Sequence, residues 1–178
     1  MMLSVILLGY ETLSSKSQSG GLLRHEGVVR SLASLVYGAV QGLIADAVLV
    51  GPADVGFVKI ADEAGCELIE NNLAALGLAA ALAKVRQANV FLLIAGHAVE
   101  RGFVEEARDA LVFEGLARGL VLRATPDSLL TRLAPSLARP VGLLARREAL
   151  RDVETAELGI LARRLCRADL NARARKCG

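Results

Sequence analysis

The side chains able to do chemistry stand behind apolar runs. His97 and Glu100 follow the run Val90 to Ala95, and an imidazole and a carboxylate three residues apart can share a divalent cation or meet a phosphate. Glu100-Arg101 reads equally as the start of a helix, where an acid complements the dipole. Tyr10 and Glu11 follow Leu3 to Leu8 and Gly9, while Gly51, Pro52, Ala53 and Asp54 follow Ala47 to Val50. Ligands of open parallel sheets bind beyond the carboxyl ends of the strands, so these positions, with Gly9 and Gly96, are the ones from which a ligand would be held. Asp54 has a second reading as the N-cap of the next helix, and His25, between Arg24 and Glu26, reads as exposed. From Gly9 to Gly21 the chain carries four serines, Lys16 and the turn Ser19-Gly20-Gly21, a polar loop whose N–H groups and lysine could hold phosphate. Cys66, Cys166 and Cys177 are far apart and form no C-x-x-C, so neither a disulfide framework nor a thiolate zinc site is implied. No G-x-G-x-x-G and no G-x-S-x-G occurs, which disfavours a dinucleotide dehydrogenase and a serine hydrolase.

Alternating elements must position these residues. Leu3 to Leu8 reads as a strand, and Gly27 to Tyr37, with Val28, Leu32, Leu35 and Val36 on one face, as a helix. Ala47 to Val50 is a second strand, followed by a helix through Ala61 that ends on the C-cap Gly65. Glu67 to Glu70, Val90 to Ala95 and Leu120 to Leu122 read as further strands, separated by helices over Leu73 to Ala88 and Gly102 to Phe113. Such continuous apolar strands alternating with helices predict an α/β three-layer sandwich around a mostly parallel sheet. After Ala124 three prolines fall within fifteen residues, leaving a short helix over Leu129 to Leu133, a strand over Val141 to Ala145, a helix over Val153 to Arg167 and a closing edge strand over Leu170 to Ala174.

Composition narrows the class. The chain has 178 residues, 53% of them hydrophobic, enough for one core and too few for two ordinary domains. Its 21 basic and 19 acidic residues give a net charge of +2, which argues against nucleic acid as a partner. From Arg139 to Gly178 ten Lys or Arg oppose five Asp or Glu, a mildly basic C-terminal face. A mean hydropathy of +0.45 raises the question of a membrane span, which needs about 20 consecutive apolar residues. Ser31 to Ala45 and Asn71 to Ala83 fall short of that, so no transmembrane segment is expected. The opening Met1 to Gly9 reads as a strand without the features of a signal peptide, and the expected location is the cytoplasm, peripheral to the inner membrane at most.

The order of pieces resembles a known family. Ser4-Val5-Ile6, then Val40-Gln41-Gly42-Leu43-Ile44, then Ile60-Ala61-Asp62-Glu63-Ala64-Gly65 are similar to segments of bacterial family 2 glycosyltransferases. Leu78 to Ala83, Val90 to Ile94, Gly102-Phe103-Val104-Glu105-Glu106-Ala107-Arg108, Gly142-Leu143-Leu144 and Arg146-Arg147-Glu148-Ala149-Leu150 extend the resemblance over nearly the whole chain. It implies a nucleotide-diphospho-sugar transferase fold, with 1–124 as a nucleotide-binding-like half and 125–178 as a shortened acceptor-side half of one domain. It also implies three acidic sites: a carboxylate on the nucleotide base, a D-x-D pair on a divalent cation (Mn or Mg), and a base that takes the acceptor's proton.

Those signatures are degenerate here. Val50-Gly51-Pro52-Ala53 stands where the base-binding acid would be, leaving Asp54 late, and Ala95-Gly96-His97-Ala98-Val99-Glu100 stands where the D-x-D would be. The candidate nucleotide-binding residues are Tyr10, Glu11, Gly51 and Asp54; the candidate metal ligands are His97 and Glu100; the candidate bases are Asp152, Glu154 and Glu157. The expectation is a glycosyltransferase-like protein, non-catalytic or altered, able to bind a nucleotide or nucleotide-sugar and to form a homodimer. The alternatives are an active sugar transferase and, from the loop with Lys16, a nucleotidyltransferase resembling the molybdenum-cofactor type.

Overall fold

The computed structural model describes residues 1–10, 20–114, 116 and 118–177. All six residues of β1 (Leu3–Leu8) are buried, as a strand must be when it has a neighbour on each edge and helices over both faces. β2 (Ile44–Gly51) and β4 (Asn89–Ile94) flank it in parallel, and β3 (Glu67–Glu70) pairs with the outer side of β2. β7 (Pro140–Arg146) runs antiparallel to β4, and β6 (Gly119–Ala124) antiparallel to β7, so β6 regains the direction of β4. β8 (Cys166–Lys176) lies parallel to β6, and β5 (His97–Val99) closes the edge antiparallel to β8. The sheet order is β3-β2-β1-β4-β7-β6-β8-β5, with six strands in one direction and β7 and β5 reversed.

Alternate residues feed two cores. Val5, Leu7, Phe91 and Leu93 face α1 (Gly20–Val40), α2 (Val58–Ala64) and α4 (Gly102–Asp109). Ile6, Leu8, Val90 and Leu92 face α3 (Ala74–Lys84) and α6 (Leu158–Leu165). The three-layer α/β sandwich expected from the sequence is therefore the fold. Phe91 and Phe103 meet at 4.4 Å between ring centroids, which pins α4 to the sheet. Ser4 is buried and satisfied: its hydroxyl donates to Asp46 (2.6 Å) and accepts the Gln87 N–H (3.1 Å).

Several boundaries differ from expectation. The first helix spans Gly20–Val40, so Gly20 and Gly21 are helical and not the end of a loop. Residues 53–65 hold a 3-10 turn, Ala53–Val55, before α2, and Pro52 at its start offers no side-chain cap. The helix expected over 73–88 stops at Lys84, and the one over 102–113 turns π-helical at Ala110–Glu114. The largest correction is in the C-terminal third, where the helix expected over 153–167 is only Leu158–Leu165. The strand after it is eleven residues long and lies inside the sheet, between β6 and β5. Leu170, Ala172 and Ala174 are buried alternately, a period-two signal that small alanines make faint. β5 itself was too short to register as alternation.

Phe91 touches both Phe103 and the backbone space above Gly142, so Phe91→Ala is expected to cost about 3–5 kcal/mol, whereas Val29→Ala on the exposed side of α1 stays within about 0.5 kcal/mol. Urea unfolding midpoints measure the contrast, and similar losses for the two would refute it.

Candidate functional site

At the end of the sheet where β1 and β4 finish, a cleft of about 1010 Å³ opens between the first turns of α3 and α6. Leu8, Tyr10 and Ile94 line it from the strand ends, Leu73 to Leu76 from α3, and Arg139 and Pro140 from the start of β7. Glu154, Thr155, Glu157 and Gly159 complete the wall on the α6 side.

The expected site residues divide sharply at this cleft. Tyr10, Glu154 and Glu157 line it. Tyr10 is also a structural tie: its hydroxyl donates to the Asn71 carbonyl (2.7 Å), its ring end packs over Gly77, and burial raises its pKa. Glu157 sits at the N-cap of α6 without making a side-chain cap, and Glu154 and Glu157 both keep contact with solvent. Asp152 is exposed and does not line the cleft.

Gly51 is buried beside the cleft end of β2, where a Cβ would lie 2.5 Å from the Phe57 ring. Its carbonyl accepts the Asn71 N–H (2.9 Å), joining β2 to the turn before α3. Asp54 belongs to the 3-10 turn Ala53–Val55, and its side chain lies outside the described residues, as do Glu11 and Lys16. His25 is half-buried and not exposed, with its ring edge-on to Phe57 at 5.7 Å between centroids.

His97 and Glu100 are taken up by the sheet edge. The His97 N–H donates to Ser31 Oγ (3.1 Å), which also accepts the Gly96 N–H (2.9 Å). Burial lowers the His97 pKa, the carbonyls of Ile94 and Ala95 oppose that shift, and the cations Arg139 and Lys176 add to it. Glu100 turns its carboxylate to the Arg173 N–H (3.3 Å) on β8.

No family model matches this chain, and no curated protein sequence matches it. Solved structures do. Glucosyl-3-phosphoglycerate synthase from Mycobacterium tuberculosis in complex with phosphoglyceric acid aligns with a TM-score of 0.64 at 16% identity, over 99% of this chain and 72% of that one. The same enzyme with Mn2+, uridine-diphosphate and glucosyl-3-phosphoglycerate gives a TM-score of 0.62 at 16% identity, with coverage of 99% and 72%. A further mycobacterial protein gives 0.58 at 17% identity, over 98% of this chain and 65% of that one. This chain has the nucleotide-diphospho-sugar transferase fold.

Within that fold the described residues do not fit a divalent cation. Among them no three His, Cys, Asp or Glu side chains converge as a metal-binding group. His97 lies in the field of two cations, and Glu100 already accepts a backbone N–H. Cys66 and Cys166 offer no substitute nucleophile: burial raises the Cys66 pKa and pushes Cys166 up to about 12.

Arg139, Pro140 and the first turns of α3 and α6 are cleft residues that sequence reasoning missed. Inspecting only the residues beyond the C-terminal end of each strand overlooks an antiparallel one, whose starting residue comes to the same end. Pro140 opening β7 was the available signal, once β7 is known to run opposite to β4.

Two substitutions test the packing at Gly51 and the burial of His97. Gly51→Ala forces the Phe57 ring to move and is expected to destabilise by about 1–3 kcal/mol, with Phe57→Leu in the same chain recovering part of the loss; a neutral Gly51→Ala would refute the close packing. The His97 imidazole has its folded pKa below the ordinary 6.5, so its contribution is complete above that pH and stability is lost as pH falls through the folded value. Between about pH 7.5 and 5, His97→Gln should therefore lose less stability than the parent chain in denaturant titrations. Equal losses would place the acid sensitivity elsewhere.

Proposed function

We propose that the protein is a glycosyltransferase-like binding protein that takes a nucleotide or nucleotide-sugar in the cleft without a divalent cation, and that it has left conventional metal-dependent transfer. The observation that carries this reading is the state of the end of β4. The cleft opens there, while the candidate metal ligands His97 and Glu100 lie outside its lining and serve the β5–β8 edge. Structures of the same fold have been solved with Mn2+ and uridine-diphosphate or uridine-diphosphate-glucose, which supports a nucleotide-sugar as the class of ligand. In this reading 1–124 supplies the nucleotide side and 125–178 the opposite wall, with Arg139 and the N-terminal turns of α3 and α6 facing the diphosphate. The protein works in the cytoplasm, and the exposed Val29, Val36 and Val40 on α1 support self-association as a homodimer.

A second reading, active sugar transfer, is favoured by Glu154 and Glu157 on the cleft wall, either of which would take the proton of an acceptor hydroxyl. The residues of the nucleotidyltransferase alternative, around Lys16, fall outside those described.

Thermal-shift titration with UDP, GDP, CDP and their sugar conjugates, each with and without Mn2+, separates these. A ligand present at about 100 times its Kd adds on the order of 2.7 kcal/mol, or roughly 5–10 °C in a domain of this size. The expected result is a shift with one nucleotide class that Mn2+ does not alter, and no turnover of the sugar conjugate. A Mn2+-dependent shift with donor turnover would establish the transferase instead, and no shift with any nucleotide would refute the ligand class.

A further inference from the structure

Every exposed leucine among the described residues lies at the cleft end of the molecule. Leu73 and Leu76 stand at the start of α3, Leu129, Leu130 and Leu133 on α5 (Leu129–Leu133), and Leu137 in the 3-10 turn after it. β6 shares the direction of β4, so the segment that leaves it, 125–139, emerges beside the cleft whose wall contains Leu73, Leu76 and Arg139. Leu129, Leu130, Leu133 and Leu137 are 76%, 73%, 86% and 68% exposed, four large apolar side chains within nine residues. Single exposed leucines are ordinary, but a concentrated apolar projection marks an interaction surface.

The base of this projection is fixed. The Arg123 guanidinium pairs with Asp169 (2.8 Å) and donates to the Ala138 carbonyl (2.8 Å), while the Ala124 N–H donates to Arg139 and the Thr125 N–H to Ala174, each at 2.9 Å. The leucines are held out from the sheet by these bonds.

Two properties select a lipid surface as the occupant. The first is that the loop satisfies much of its own backbone. Ser128 Oγ accepts the Thr131 N–H (3.3 Å) and Thr131 Oγ1 accepts the Ser128 N–H (3.1 Å), a closed capping box. The Arg132, Ala134, Leu137 and Ala138 N–H groups donate to carbonyls of 128–135, and Pro126 and Pro135 bring no N–H. Water would satisfy these groups for a solvated loop; at a hydrocarbon boundary each unpaired one is costly. The second property is charge. Arg132 closes α5, Arg139 stands at the foot of the loop, and Arg175 and Lys176 end β8 on the same side. Asp127 is the acid of the loop, and Glu154 and Glu157 face the cleft. Basic side chains flanking exposed leucines match anionic headgroups.

We propose that α5 and the turn after it dock the protein on an anionic bilayer, the four leucines entering the interface and Arg132 meeting lipid phosphates. The mouth of the cleft then faces the membrane surface. This does not depend on what the cleft binds, since the docking residues tested below are outside its lining.

The test is co-sedimentation of the full chain with vesicles of phosphatidylcholine alone and of phosphatidylcholine with about one third phosphatidylglycerol. Binding is expected to the anionic vesicles and to weaken as salt rises. Leu130→Ser combined with Leu133→Ser should lower that binding by about tenfold or more while leaving the urea midpoint unchanged, because both side chains are exposed in the folded state. Should the pair impair folding, Leu133→Ser alone, at the most exposed of the four, should still weaken binding several-fold. Arg132→Glu should reduce binding to the anionic vesicles more than to the neutral ones. The proposal fails if the parent chain binds neither vesicle, or if the leucine variants bind as well as the parent. It also fails if light scattering shows a dimer that the leucine variants dissolve, since the surface would then be covered by a second copy.

Discussion

The register of β1 against its two neighbours is the constraint on which the rest of the molecule depends. Leu8 pairs with Val50 of β2 and with Ile94 of β4, so three strands end level, and the bonds Gly9 N–H to Val50 and Ala95 N–H to Leu8 carry the alignment one residue further. A slip of one residue would exchange Val5 and Leu7 with Ile6 and Leu8 between the two cores, reversing which helices each set packs against. Because every residue of β1 is buried on both faces, no such slip is tolerated, and the level strand ends fix the floor of the cleft.

Around this floor the fold consumes polar groups as ties. Ser31 and Ser34 of α1 accept N–H groups of Gly96, His97 and Val99, holding the short edge strand that would otherwise have few partners on one side. Glu106 of α4 accepts the N–H groups of Asn171 and Ala172, and Glu100 accepts that of Arg173, so two carboxylates satisfy a stretch of β8 where β5 gives no ladder. Glu100 and Glu106 are thus spent on the backbone of the sheet. The same logic holds at Tyr10, whose hydroxyl secures the turn that begins α3, and at Asn71, whose side chain accepts the Leu73 N–H (2.8 Å). The cleft is accordingly apolar for much of its wall, with Arg139, Glu154 and Glu157 as its charged members.

Legibility varied with the strength of local pattern. β1 and β4 are readable because continuous apolar runs bounded by glycine or polar residues leave little alternative to a buried strand. α5 was readable to the residue, since prolines confine it on both sides. β5 was not, because three residues after the positive-φ Gly96 (φ 85°) carry too little alternation to distinguish a strand from a loop. In the C-terminal third the helical spacing of Leu158, Leu161 and Leu165 runs into the weaker alternation of Leu170, Ala172 and Ala174, and the stronger signal masks the start of β8. At the site, reading behind the parallel strands reached Tyr10, and the acids near the end of the chain included the two that line the cleft. It could not separate them from Asp152, because no local pattern records which residues of an irregular segment face a distant helix.

The sequence by itself determined the sandwich: alternation of apolar strands with helices, the glycine C-cap at Gly65 and the absence of conventional acid motifs after the strands are all local facts. Tertiary structure decided the rest. Only the reversal of β7 brings Arg139 and Pro140 to the end where β1 and β4 finish, and only the placement of β8 inside the sheet gives Glu100 and Glu106 backbone partners more than sixty residues away. Strand direction and strand order are set by the summed burial of two cores and by hydrogen-bond closure across the sheet. Neither quantity is carried by any short stretch of residues, which is why the fold was legible and the use of its polar side chains was not.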